Sequence, residues 1–264
     1  MNKIIHQTWK NKNIPNDTFK RNWVESWKNL NPTWEYKLWT DEDMHDFIST
    51  KYSWFLPTFE AYPEQIQRVD SFRYFIIYEY GGLYADLDIE CFKPLDTLLT
   101  DNCIIFQTYP EHQMKAIIDA DNREHPLRKH FPLHKLKKGY FLTNSIFYSN
   151  GGHKFFKKCI EGLEKSYEES KRYRFTEFDF LNKSCVCNTH ITMSAGSGFL
   201  TRMFFKYGRV FDVKDYSYGF FEPYKHTRRK EILLNQEAFN KENLYGMHWN
   251  LGSWINLEDS EYKI

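Results

Sequence analysis

The stretch Asp70-Ser71-Phe72-Arg73, continued after an apolar and aromatic run by Gly81-Gly82-Leu83-Tyr84-Ala85-Asp86-Leu87-Asp88, decides how this chain is read. Asp70 and Arg73 stand three apart, the spacing at which side chains on a helix become neighbours. Two glycines then break the helical pattern, and two carboxylates follow with one residue between them. On an extended backbone, carboxylates two apart point to opposite faces. They can serve one site only where the chain turns, as at the end of a strand. Hard divalent cations take oxygen ligands, and Mg²⁺ or Mn²⁺ commonly binds one or two carboxylates together with phosphate oxygens. Asp86 and Asp88 are therefore a candidate clamp for a cation-bound diphosphate.

Upstream, Lys3 to Thr8 reads as a strand ending at Trp9, and Asn16 to Leu30 as an amphipathic helix stopped by Asn31-Pro32. Trp34 to Trp39 alternates and reads as a second strand. Thr40, with Asp43 three residues on, forms a capping box that opens a helix towards Ser49. Pro63 opens a longer helix to about Tyr80, with Ile66, Val69, Ile76, Ile77 and Tyr80 as its buried stripe. Gly81-Gly82 end it, and Leu83 to Ala85 form a short strand into Asp86. Downstream, Ile104–Phe106, Ser145–Tyr148 and Val210–Asp212 are strand-like, while Phe155–Glu169 and Ser194–Phe205 are helical. Residues 110–140 have weak periodicity and read as an irregular lobe. Helices alternating with strands predict an α/β layered sheet. Ligands of such sheets lie at the carboxyl ends of strands, which sets Trp9, Trp39 and the Asp86/Asp88 pair around one crevice.

The 264 residues suit a single domain with a sizeable core. Lys and Arg number 36 against 35 Asp and Glu, so no global field favours nucleic acid or an anionic membrane. Aromatic residues make up 19% of the chain, enough to line a core and to stack on a base or a sugar face. Cys91, Cys103, Cys159, Cys185 and Cys187 are scattered without zinc spacing, which predicts free thiols in a reducing compartment. No apolar run approaches the ~20 residues of a spanning helix. The expectation is a cytoplasmic protein without an integral membrane segment, at most peripheral at a membrane surface. Basic clusters at 128–138 and 225–230 read as solvated loops.

The segment from Arg68 to Asp88 resembles the core motif of family-32-type glycosyltransferases. These DXD sugar transferases include initiating mannosyltransferases of yeast, bacterial capsule enzymes and the glycosylating domain of large clostridial toxins. The opening Lys3-Ile4-Ile5-His6-Gln7-Thr8-Trp9 is similar to the family's first strand, and Tyr36-Lys37-Leu38-Trp39 to its second. Met247-His248-Trp249-Asn250-Leu251-Gly252-Ser253-Trp254 is similar to its closing motif. The similarity is dense to about residue 95 and thin from 110 to 190. The resemblance implies a GT-A fold, a Rossmann-like mixed sheet flanked by helices with a helical or irregular acceptor-side lobe. It further implies one domain over 1–264, with 1–108 binding the nucleotide-sugar and 109–264 facing the acceptor. Transfer would depend on Mn²⁺ or Mg²⁺ and retain the anomeric configuration.

By the same resemblance, Trp9 stacks on the nucleotide base, and Asp70 and Arg73 bind the donor sugar. Asp86 and Asp88 hold ribose, metal and diphosphate, and the segment from His248 to Trp254 folds over the diphosphate. Asp88 is expected as the direct ligand, with His248 and Asn250 completing the metal shell. His6, Gln7, Thr8, Trp39, Tyr84, Asn144, Trp249, Ser253 and Trp254 complete the expected donor-binding set. Taken alone, His6 and Trp39 read as core residues rather than ligand-binding ones. The Gly-rich turn Ser194–Gly198 offers backbone N–H groups to a phosphate or a sugar oxygen, or simply caps a helix. The expected activity is transfer of a hexose or N-acetylhexosamine from a UDP-sugar, in preference to a GDP-sugar, to a saccharide, lipid-linked or protein hydroxyl. A nucleotide-sugar-binding module without turnover is the alternative. A nucleotidyltransferase would be expected to carry a Gly-rich basic loop where this chain has His6-Gln7-Thr8-Trp9.

Overall fold

The computed structural model describes residues 2–14, 18–109, 140–171 and 189–250. A six-stranded sheet in the order β2-β1-β3-β6-β5-β7 forms its centre. The strands are β1 (Ile4–Thr8), β2 (Glu35–Trp39), β3 (Gly82–Ala85), β5 (Cys103–Gln107), β6 (Leu142–Ser149) and β7 (Lys214–Tyr216). β1 runs parallel to β2 and to β3, whereas β6 runs antiparallel to both β3 and β5. The sheet is thus mixed, as expected, and β3 lies where its parallel and antiparallel parts meet. Two further strands, β4 (Ile89–Cys91) and β8 (Gly246–His248), pair antiparallel as a separate ribbon.

Helices cover both faces. On one side α2 (Asp41–Lys51), α4 (Gln65–Tyr80), α5 (Lys154–Ser170) and α7 (Ser197–Tyr207) pack over Tyr84, Ile105 and Phe147. On the other, Trp27 of α1 (Thr18–Leu30) packs with Leu83, Ile104, Phe106 and Ile146. Short helices α3 (Leu56–Ala61) and α6 (Thr189–Ser194) precede α4 and α7, and α8 (His226–Asn235) carries Ile232 and Leu233 into a small third cluster with Trp23 and Trp249. No helix among the described residues is long and apolar enough to cross a membrane. Cys91, Cys103 and Cys159 are buried free thiols, and Cys185 and Cys187 lie outside the described residues.

The local signals act as read. Thr40 accepts from the Asp43 N–H while the Asp43 carboxylate accepts from Thr40, a complete capping box. α4 departs from the expected amphipathic stripe, because every residue from Asp70 to Ile77 is buried. It is sandwiched between the sheet and α5, so its polar residues are interior too. Gly81 and Gly82 end it with φ of 64° and 96°, values that carry little strain only for glycine. A Cβ on Gly82 would stand 2.3 Å from the Ile4 carbonyl oxygen, so β1 can approach β3 only across a bare backbone. The expected strand at Val210–Asp212 is a turn instead, with Val210 at 70% exposure and Asp212 at φ 53°. The strand begins later, at Lys214, on the sheet edge, where one-sided exposure removes the apolar run that would announce it.

His6 and Trp39 belong to this framework. Trp39 Nε1 donates to His6 Nδ1 at 3.1 Å, leaving His6 Nε2 to donate to the Gly81 carbonyl at 2.9 Å. One neutral imidazole thus ties β1, β2 and the end of α4 together. Burial pushes its pKa down to about 4, with the Gly81 bond opposing. The unfolded chain titrates His6 near 6.5, so between these values the unfolded state binds more protons, and this stability is lost as pH falls through the window. In urea unfolding, the advantage of the wild type over His6→Asn should shrink by up to about 3 kcal/mol between pH 6.5 and pH 4. A constant difference would show that His6 is not held neutral.

Candidate active site

β3 ends at Ala85 and the chain turns at once. Ile89 N donates to the Asp86 carbonyl at 3.1 Å, closing a four-residue turn that buries Leu87 and lets both aspartates reach one place. The turn is anchored from several elements. Asp86 N donates to the Ser145 carbonyl of β6 at 2.8 Å, and Gln7 Nε2 of β1 donates to the Asp86 carbonyl at 3.1 Å. Gln7 is itself held by Tyr36 OH at 2.8 Å. Trp27 Nε1 of α1 donates to the Ile89 carbonyl at 2.7 Å, and Cys91 N donates to Ser26 Oγ at 2.9 Å. α1 therefore fixes the strand that leaves the turn.

Arg73 stands behind the turn with 2% exposure. Its Nη2 lies 2.9 Å from Asp70 Oδ1 and 3.3 Å from Asp86 Oδ1, and Nη1 donates to the Asn144 carbonyl at 2.5 Å. Its guanidinium sits 4.5 Å from the Tyr84 ring centroid. Asn144 Nδ2 donates to Asp70 Oδ1 at 2.9 Å, and Tyr84 OH donates to Asp86 Oδ1 at 2.7 Å and meets Thr8 Oγ1 at 3.1 Å. Burial pushes the Asp70 carboxyl up to about 6, with Arg73 opposing and the Asp86 charge adding. Burial likewise raises Asp86 against the pull of Arg73.

His248 arrives from the far end of the chain. The β4–β8 ribbon sets it opposite Ile89, and Trp249 N donates to the Asp88 carbonyl at 2.9 Å. His248 Nε2 lies 3.4 Å from Asp88 Oδ1 and Nδ1 lies 2.9 Å from Glu222 Oε1. Burial opposes the charged imidazole, but Asp88 and Glu222 outweigh it and raise the pKa to about 9. Burial also opposes ionised Glu222, yet Arg229 and the bond from His248 hold it well below the usual carboxylate range.

One ligand atom each of Asp86, Asp88 and His248 lies within 4.8 Å of the others. Two carboxylates and an imidazole suit Mn²⁺ as a donor set, and a site with open positions leaves room for phosphate oxygens. Charge balance agrees. Asp70, Asp86, Asp88 and Glu222 face the guanidiniums of Arg73 and Arg229 and the imidazole of His248, so the carboxylates outnumber the cationic groups even with His248 protonated, and a bound cation would relieve the excess.

The structure thus gathers Gln7, Thr8, Asp70, Arg73, Tyr84, Asp86, Asp88, Asn144 and His248. Trp9 follows Thr8 directly, half-buried at the open end of β1. His6 and Trp39 are placed in the core, as described above. Trp249 is also turned away: its ring stacks on Trp23 at 6.2 Å, and its Nε1 donates to Glu90 Oε2 at 3.1 Å. Asn250 lies two residues beyond His248 with φ 53°, while Ser253 and Trp254 lie outside the described residues. The Ser194–Gly198 turn forms a wall behind Asp70: Gln67 Nε2 donates to Ser194 Oγ at 2.8 Å and Tyr74 OH to the Ala195 carbonyl at 2.5 Å. A Cβ on Gly196 would stand 3.0 Å from Asp70 Oδ2, which explains a glycine at that point. Glu222, Arg229 and Thr108 were not foreseen, because no local pattern marks a carboxylate whose partners are 26, 7 and 114 residues away.

A polar centre of this kind, at the carboxyl end of a parallel strand and at the seam of a mixed sheet, is a ligand site of α/β proteins. Residues 18–105 match the family described as glycosyltransferase sugar-binding region containing DXD motif. Inositol phosphoceramide mannosyltransferase 3 of Schizosaccharomyces pombe is 49% identical over 111 residues, 41% of this chain and 30% of that protein. Inositol phosphoceramide mannosyltransferase 1 of the same organism is 35% identical over 190 residues, 58% of this chain and 59% of that protein. The matches thus span less than two thirds of these relatives' own lengths. Among solved structures, the ligand-free glycosyltransferase domain from the YGT toxin shares 9% identity over 91% of this chain and 88% of its own, with a TM-score of 0.49, too distant to bear on the chemistry.

Asp88→Asn removes one charge from a half-buried candidate ligand position, and Mn²⁺ affinity measured by calorimetry should fall at least about tenfold, by analogy with ligand-shell losses in other metal sites. Unchanged Mn²⁺ affinity in a folded variant would remove Asp88 from the ligand set.

Proposed function

We propose that this chain is a divalent-metal-dependent glycosyltransferase that moves a hexosyl group from a nucleoside-diphosphate sugar to a hydroxyl acceptor, with retention at the anomeric carbon. The observation that carries this reading is the meeting of Asp86, Asp88 and His248 beside the buried Asp70–Arg73 pair. The names of the relatives favour mannose as the transferred sugar and an inositol-phosphate lipid as the acceptor class. Most of the donor-binding residues lie in the first half of the chain, joined by Asn144 and His248 from the second, and the acceptor is expected to approach from that second half.

Asp86, Asp88 and His248 would hold a divalent cation, which would supply electrophilic stabilisation to the departing diphosphate. Asp88 and Asp86 hold and orient that end of the donor, and Trp9 stacks on the base. Asp70 orients sugar hydroxyls. Arg73 was expected to bind the donor, but its burial and its bonds to Asp70, Asp86 and Asn144 support a different role. It sets the two carboxylates rather than touching substrate. In the transfer, the bond from the anomeric carbon to the diphosphate oxygen breaks and the bond to the acceptor oxygen forms, and the acceptor proton leaves with the diphosphate.

Thermal unfolding against GDP-mannose and UDP-hexoses, each with and without Mn²⁺, tests the reading. One donor should stabilise the protein only with metal, by about 2.7 kcal/mol at a hundredfold excess over Kd. No response to any donor would overturn it, and binding without turnover towards saccharide, lipid or protein acceptors would leave the binding-module alternative. Trp9→Ala should raise the KM for the donor by the loss of ~1–3 kcal/mol of stacking while kcat holds. An unchanged KM would place the base elsewhere.

A further inference from the structure

We propose that Glu222 is a positioning residue of the cation site, holding His248 by Nδ1 so that Nε2 is presented to the place shared with Asp86 and Asp88. The inference rests on the metal reading above and adds to it a residue that acts through another. The geometry is specific. Glu222 Oε1 lies 2.9 Å from His248 Nδ1, and both side chains are buried. The other carboxylate oxygen accepts from Thr108 Oγ1 at 2.6 Å and from Tyr109 N at 3.2 Å, with Arg229 Nη2 at 3.8 Å. Arg229 also donates to the His248 carbonyl. Imidazole and carboxylate are thus held from both ends, and a flip of the ring would break the bond to Glu222 and turn Nε2 away from Asp88.

Stability alone does not account for this assembly. A buried carboxylate and a buried guanidinium carry desolvation costs that well-packed apolar residues of similar volume would avoid. A carboxylate on the far nitrogen of a metal-binding histidine fixes the tautomer and ring orientation and makes the ligating nitrogen more basic. Nitrogen ligation also discriminates among cations, because Mg²⁺ prefers an all-oxygen shell. Glu222 would therefore tune a preference for Mn²⁺ over Mg²⁺ without touching the ion.

The test is metal binding to the full chain without donor, read by calorimetry with Mn²⁺ and with Mg²⁺ and by pulsed EPR of bound Mn²⁺ for nitrogen modulation. Glu222→Gln keeps the shape and removes the charge. Mn²⁺ affinity should fall roughly 10- to 100-fold, Mg²⁺ affinity should fall less, and the nitrogen modulation should weaken. If the lone variant fails to fold with Arg229 left unbalanced, Glu222→Gln combined with Arg229→Gln removes both charges and carries the same expectation. Wild-type Mn²⁺ affinity and nitrogen modulation in the folded variant, alongside a loss in Asp88→Asn, would overturn the role of Glu222 and leave the metal reading intact. Absence of Mn²⁺ binding in the wild type would overturn the metal reading and this inference with it.

Discussion

A single buried guanidinium organises this protein's centre. Arg73 cannot shed its charge, and water does not reach it to compensate. Its burial is tolerable only because Asp70, Asp86, the Asn144 carbonyl and the Tyr84 ring surround it. Those groups belong to α4, to the exit of β3, to β6 and to β3 itself. Satisfying one cation therefore locks a helix and two strands into register. The same contacts decide where the Asp86 carboxylate points, so stability and site geometry depend on one group.

From that fixed point the site is assembled by a turn and a ribbon. The turn at Asp86–Ile89 converts carboxylates that a strand would set on opposite faces into a converging pair. The ribbon of β4 and β8 then carries His248 to them from the other end of the chain. Both are braced by apolar packing on each side: Trp27 beneath β4, and Trp23 with Trp249 beneath β8. The aromatic content noted in the sequence thus serves mostly as a scaffold. Trp9 follows β1 half-buried, and Trp39 and Trp249 show how a tryptophan in a motif can be turned inward.

Elements with strong local chemistry were legible. Thr40 and Asp43 cap a helix wherever that helix packs, and Gly81-Gly82 end one because their backbone angles suit no other residue as well. The Asp70/Arg73 spacing and the Asp86/Asp88 spacing were likewise readable, since each constrains side chains that are near in sequence. The strand at Lys214–Tyr216 was missed because an edge strand open to water needs no apolar alternation. The all-round burial of α4 was missed because an interior helix carrying Asp, Ser and Arg looks amphipathic until its polar partners are known. Glu222, Arg229 and Thr108 left no trace, since nothing in their neighbours tells a buried network from a solvated loop.

By itself, the sequence determined the alternation of strands and helices, the place where the first parallel strands end, and the presence there of two carboxylates behind a carboxylate–guanidinium pair. These follow from interactions within about four residues, which the chain carries wherever it goes. Only the tertiary structure decided that Arg73 faces inward to the carboxylates, that His6 and Trp39 bond to each other in the core, and that His248 meets Asp88 with Glu222 behind it. Those outcomes depend on which distant groups share a low-dielectric interior, where an unpartnered charge or N–H is costly enough to select the arrangement that satisfies it.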